Sequence, residues 1–221
     1  MPGVGVFGGS FNPIHFGHLL VADHVREVLD LDRMLFVPAA MPPHKPAAAL
    51  APACHRHAMT ELAVREHPRF GVSDVELRRA GPSYSVDTLQ ALAGDGALHF
   101  LIGSETFLDL LSWKEPRQLA RLARLVVVPR SGSNFDPEAP AAGKVLAELG
   151  LSGFERIPAG AVGPVGPAPP ADVVWLIAAP SLPISGSDLR RRAREGRSLA
   201  YRMPEAVAAY IRAHRLYRQE D

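Results

Sequence analysis

Short, almost wholly apolar runs, stopped by glycine or proline and followed by residues at helical spacing, recur along this chain. Gly3–Phe7 ends at Gly8-Gly9, Met34–Val37 at Pro38, Leu98–Ile102 at Gly103 and Leu125–Val128 at Pro129. Phe70–Val72 and Val173–Ile177 have the same character. A strand with one wet face alternates apolar and polar residues. A run apolar throughout is covered on both faces, as in a parallel sheet flanked by helices. Leu19, Val21, Ala22, Val25, Val28 and Leu29 mark a helix within residues 18–31. Further helices are expected around 55–67, behind Ser85 as an N-cap, through Leu111, and over 116–124, 137–149, 185–197 and 204–217. The expected fold is α/β: a doubly wound parallel sheet with helices on both faces and a helical C-terminal end. It is read as a single domain over residues 1–221, with its C-terminal helices from about residue 185. Residues 158–170, with five prolines and three glycines, are read as an insertion loop.

Composition narrows the function. Hydrophobic residues make up 47%, enough for a core, and Lys+Arg 24 against Asp+Glu 23 leaves a net charge of +1. That balance argues against nucleic acid or another polyelectrolyte held by bulk charge. The one cysteine, Cys54, excludes an intramolecular disulfide and a cysteine-built zinc site. No apolar run approaches the ~20 residues of a membrane span, and the opening Met1-Pro2-Gly3-Val4 lacks a signal-peptide pattern. A cytoplasmic location is therefore expected. Seven of the nine histidines fall in the first third of the chain, which directs attention there.

Gly3, Gly5 and Gly8 spell G-x-G-x-x-G, but a dinucleotide fingerprint follows a strand, and only Met1-Pro2 precedes these glycines. They belong to the strand itself. The denser segment is Gly8-Gly9-Ser10-Phe11-Asn12-Pro13-Ile14-His15-Phe16-Gly17-His18, which joins the first strand to the first helix. In a Rossmann-like sheet, ligands bind at that edge. Gly8 and Gly9 expose backbone amides to an anion, and the helix N-terminus adds partial positive charge. His15 and His18 lie one turn apart and share a face, with Gly17 leaving room for a ligand between them. The same pair could instead ligate a metal, although no carboxylate in the segment completes such a site. A second cluster, Ile184-Ser185-Gly186-Ser187-Asp188-Leu189-Arg190, follows the last strand and opens a helix. Its hydroxyls and the planar fork of Arg190 suit a phosphate. By itself it reads as a common N-cap with an exposed arginine, and its pairing with the first cluster at the same sheet edge turns the reading toward phosphate.

Gly9-x-Phe11-x-Pro13-x-His15-x-Gly17-His18 with Ile184-Ser185-x-Ser187-x-x-Arg190 resembles the HxGH and ISxTxxR signatures of a nucleotidyltransferase superfamily. More narrowly, it is similar to the bacterial nicotinate-nucleotide adenylyltransferases. Pro43-His44-Lys45, Pro82-Ser83-Tyr84-Ser85-Val86-Asp87-Thr88-Leu89, Ile102-Gly103-Ser104-Glu105 and Trp113-Lys114 extend the match over residues 3–190. The chain departs from the family pattern at Gly186-Ser187 for Ser-Thr, at Glu105 for Asp and at Ser85 for Thr. The resemblance implies transfer of AMP from ATP, with Mg²⁺, to nicotinate mononucleotide, giving nicotinate adenine dinucleotide and pyrophosphate. It implies that His18 meets the transferring phosphoryl group and His15 the neighbouring phosphates, with Lys45 and Arg190 on the polyphosphate. Gly8, Gly9, Ser10, Phe11, Gly103, Glu105, Ile184, Ser185 and Ser187 would complete the ATP site. Lys45, Tyr84, Ser85, Trp113 and Arg130 would hold the mononucleotide, and no protein side chain is assigned to metal. The alternatives are a nicotinamide mononucleotide or phosphopantetheine acceptor, a nucleotide-binding module without turnover, and a metal-dependent hydrolase using His15 and His18. The sequence assigns no oligomeric state.

Overall fold

The computed structural model describes residues 3–44, 46, 49–130, 132–161, 163–164, 166 and 170–218. The described strands are β1 (Gly3–Gly9), β2 (Arg33–Pro38), β3 (Phe70–Val72), β4 (Ala97–Gly103), β5 (Arg124–Val128), β6 (Gly153–Ile157) and β7 (Val173–Ile177). They form one sheet in the order β3-β2-β1-β4-β5-β7-β6, and every pairing is parallel. The chain runs outward from β1 to β3, then returns to β4 on the other side of β1. That reversal is the switch point of a doubly wound fold.

The strands alternate their side chains between two buried faces, as a period of two requires. Met34, Phe36, Leu101, Val126 and Ile177 enter one core with α1 (Phe16–Val28), α2 (Ala53–Val64), α8 (Gly186–Arg194) and α9 (Glu205–Ala213). Leu35, Val37, Phe100, Ile102, Leu125 and Val127 enter the other. There they meet α4 (Ser85–Leu92), α5 (Ser104–Leu108), α6 (Pro116–Leu122) and α7 (Pro140–Leu149). α3 (Val75–Arg78) is a single turn. Proline fills the first turn of α6 and α7, where a missing N–H costs no helical bond, and Gly150 ends α7 at φ +72.

Two features depart from expectation. β6 carries no apolar run, because Glu155 and Arg156 are exposed on a strand at the sheet's edge. Residues 158–172 then join β6 to its parallel neighbour β7. Adjacent parallel strands need a crossover of about a dozen residues, and the proline-rich stretch lies within that connection. Ser85 is the first residue of α4 rather than its cap; Tyr84 holds the N-cap position without a side-chain cap bond.

Phe36 is fully buried, with the rings of Phe7, Phe11 and Phe70 centred 5.2–5.8 Å away. Phe36→Ala is expected to lose about 3–5 kcal/mol of stability. Urea denaturation should show a lower midpoint at unchanged slope, and an unmoved midpoint would mean that the ring cluster does not support the sheet.

Candidate functional site

β1 pairs with β4 only as far as Phe7 opposite Leu101, but with β2 as far as Gly9 opposite Pro38. β4 continues along β5 to Gly103 opposite Val128. The two central strands therefore part beyond Phe7, and a crevice opens at their C-terminal ends. The motifs read from sequence sit on loops around this edge, those after β1, β4, β5 and β7 together with the β2–α2 connection.

The loop after β1 is shaped by close approaches. A side chain at Gly9 would put its Cβ 3.1 Å from the ring of Phe11, which turns back over the strand end at φ +41. His15 is the N-cap of α1, and its ring stacks on that of His18 with centroids 3.8 Å apart. A Cβ at Gly17 would lie 3.0 Å from Nδ1 of His15. Gly17 thus makes room for the His15 imidazole itself rather than for a ligand between the two rings. The edges of Phe7 and Phe11 hold His18 from the other side, at 6.0 and 5.2 Å.

The two imidazoles differ chemically. The backbone N–H of His15 donates to Nδ1 of His18 at 3.3 Å. An Nδ1 that accepts leaves Nε2 of His18 as the ring's N–H donor. His15 is 7% exposed, and burial lowers its pKa to about 4, so it is neutral at physiological pH. Its Nδ1 is buried with no hydrogen-bond partner among the described residues.

Arg190 joins this group. Its Nη1 donates to the carbonyl of Asn12 at 2.8 Å. Gly186 allows the approach, since a Cβ there would come within 3.2 Å of the same carbonyl oxygen. Ser185 caps α8 by accepting from the Asp188 N–H, and its hydroxyl lies 3.2 Å from that of Ser187. Ile184 packs against the core under α8. Gly186, where the chain departs from the family pattern, is thus the point where α8 meets the β1 loop.

The remaining candidates lie on other segments of the chain. Glu105, in the first turn of α5, and Arg130, beyond β5, are both exposed and lie 4.0 Å apart. Ser83 accepts from the Met41 N–H and donates its own N–H to the Met41 carbonyl, both at 2.9 Å. That pair of bonds ties the segment preceding Tyr84 and Ser85 to the loop after β2. Lys45, in the same loop, lies outside the described residues. Trp113 is partly buried, packs on the α4–α6 core and meets Phe100 edge-on at 6.4 Å. Lys114 pairs with Asp87 at 2.8 Å and lies over the Tyr84 ring at 5.1 Å.

Sequence reasoning missed Asn12 and Arg56. Arg56, in α2, is 1% exposed. Its guanidinium donates to the carbonyls of Ala51 (2.8 Å), Ser10 (2.8 Å) and Ala40 (3.2 Å), binding the loops after β1 and β2 to each other. Asn12, 6% exposed, donates to the Ala49 carbonyl and accepts from the Ala51 N–H. No local pattern announces either residue, because the carbonyls that they bind come from distant loops. Among the described residues no three His, Cys, Asp or Glu side chains are grouped to hold a metal ion, and no helix is long and apolar enough to cross a membrane.

The cytidylyltransferase-like family model matches residues 6–192. A protein of Thermus thermophilus named "Probable nicotinate-nucleotide adenylyltransferase" is 44% identical over 218 residues, 97% of this chain and 99% of its own length. One of the same name from Thermomicrobium roseum is 41% identical over 221 residues, covering 99% and 92%. Among solved structures, the Plasmodium falciparum nicotinic acid mononucleotide adenylyltransferase complexed with NaAD superposes with a TM-score of 0.69 at 20% identity, over 98% of both chains. At that identity the likeness bears on the fold alone.

The buried His15 gives stability a pH dependence. Its pKa is about 4 when folded against 6.5 ordinarily, so from pH 6.5 downward the unfolded chain takes up a proton that the folded chain refuses. Stability therefore falls as pH drops through that window, by up to about 3 kcal/mol from this group. His99, lowered chiefly by burial, acts in the same direction. Urea denaturation at about pH 7 and pH 4.5 should show a smaller loss in His15→Gln than in the parent; equal losses would contradict the assignment.

Proposed function

The chain belongs to the cytidylyltransferase-like family and, within it, to the nicotinate-nucleotide adenylyltransferases; from that premise we propose that it transfers AMP from ATP to nicotinate mononucleotide. The products are nicotinate adenine dinucleotide and pyrophosphate, a step of NAD biosynthesis. The observation that carries this reading is the meeting of two distant motifs at one point. His15 and His18 stack at the start of α1, and Arg190 bonds to the loop that presents them.

The acceptor phosphate is already a nucleophile, so the site needs neither a base nor a covalent intermediate. What it must do is hold two anions in line and meet the charge that develops at the α-phosphoryl group. His18 offers Nε2–H, the amides at the start of α1 add their partial positive charge, and the neutral His15 stacks on the first ring and meets the neighbouring phosphates. Arg190 has one N–H on Asn12 and its remaining donors for the polyphosphate, with Lys45 as a second cation. Gly8, Gly9, Ser10, Phe11, Gly103, Glu105, Ile184, Ser185 and Ser187 border the ATP half of this reading. Tyr84, Ser85, Trp113 and Arg130 border the acceptor half. Mg²⁺ enters this reading with the substrate, carried on the phosphates of ATP. The whole chain acts as one domain, in the cytoplasm.

Pyrophosphate release from ATP and Mg²⁺ should be measured with nicotinate mononucleotide, nicotinamide mononucleotide and phosphopantetheine offered separately. Release with the first is expected. Release only with another acceptor would move the chain to that acceptor, and ATP binding without release would make it a binding module. Removing one transition-state donor costs about 10²–10³ in turnover. His18→Ala is expected to fall in that range, and near-parental turnover in the folded variant would remove His18 from the reaction.

A further inference from the structure

Tyr217 lies beyond residues 6–192, the part of the chain that the family model matches. It follows α9 in a turn where Arg215 and Tyr217 take φ of +51 and +65, values that side chains other than glycine seldom adopt. The Leu216 N–H closes the turn on the Ile211 carbonyl, and Leu216 and Tyr217 rest against the core shared by α1, α2, α8 and α9. This uncommon backbone directs the phenol inward. Its hydroxyl donates to Oδ1 of Asn12 at 2.9 Å, across a sequence separation of 205 residues.

Asn12 is the junction that this bond completes. Its Oδ1 accepts from both the Tyr217 hydroxyl and the Ala51 N–H (3.1 Å), and its Nδ2 donates to the Ala49 carbonyl (3.2 Å). The side-chain amide is thereby held in one orientation. Its main-chain carbonyl, in turn, is the anchor of Arg190. We propose that Tyr217 is a positioning residue for Arg190: through Asn12 it sets the carbonyl from which that guanidinium is presented to the phosphates of ATP. The inference rests on the proposed contact between Arg190 and ATP.

The chain of bonds explains why the arginine needs such support. Arginine has a long, freely rotating stem, and one anchored N–H removes most of that freedom only if the anchor is itself fixed. The Asn12 carbonyl belongs to a turn, not to a strand or helix, so its direction depends on the side-chain bonds of Asn12. Burial holds the Tyr217 phenol well above its ordinary range, so it remains a donor at any working pH. Without the hydroxyl, Oδ1 keeps the Ala51 N–H. The turn then persists but is held less firmly, which separates positioning from folding.

Tyr217→Phe removes the donor and little else. Its thermal midpoint should stay close to the parent's, while the Kd for a non-hydrolysable ATP analogue, measured by titration calorimetry, and the KM for ATP should rise about 3- to 10-fold. The KM for the acceptor should change less than about 2-fold. In an Arg190→Gln background, adding Tyr217→Phe should shift the analogue Kd less than about 2-fold, because the group being positioned is already gone. Two results would overturn the proposal: an unchanged Kd in Tyr217→Phe, or the same multiplicative shift in both backgrounds, as a purely structural residue would give. The calorimetric comparison does not depend on turnover. A parent chain that bound the analogue but released no pyrophosphate with any acceptor would refute the proposed reaction and leave the Tyr217 comparison standing.

Discussion

The site depends on one constraint, the point at which β1 and β4 cease to pair. Up to Phe7 and Leu101 the two central strands share a ladder; beyond it β1 follows β2 and β4 follows β5. Main-chain groups past that point are released from the sheet on the crevice side, and the two halves of the chain approach it from opposite directions. The β1–α1 loop comes from one half and the start of α8 from the other. Their contact through Gly186 and Arg190 closes a gap of 178 residues in sequence.

Much of the fold was legible because burial on two faces leaves a plain mark. Six strands announce themselves as runs such as Val126-Val127-Val128, which alternate between two cores yet are apolar throughout. β6 did not, since an edge strand with exposed Glu155 and Arg156 carries no such mark. α3 was too short to show a period. In the candidate site, the spacing of His15, Gly17 and His18 marked one turn, yet the glycine's reason became visible only with the imidazole lying over it. Asn12, Arg56 and Tyr217 were silent because their partners lie 5 to 205 residues away, and one-dimensional patterning records faces, not junctions.

Charge placement follows a consistent division. Arg56 is deeply buried and is answered by three main-chain carbonyls, so its role is mechanical: one planar group fixes two loops at three points. The arginines of α8 and its sequel, such as Arg191 with Asp188 and Arg197 with Glu195, are exposed pairs that contribute little to stability. Between these extremes stands Arg190, anchored by one edge and partly exposed. The near-zero net charge of the chain therefore says little about the crevice, where imidazoles, main-chain amides and the tethered Arg190 guanidinium meet.

The neutrality of His15 has a consequence for how long ligands stay. A pocket lined with several fixed cations grips every polyphosphate, spent ones included, and turnover then waits on departure. Burial keeps the His15 imidazole neutral even below its ordinary pKa, so it adds no charge to the pull of the neighbouring cations on a resting anion. Directed N–H groups matter most while negative charge gathers at the reacting phosphorus. In the proposed reaction, a departing pyrophosphate would meet no added charge from His15.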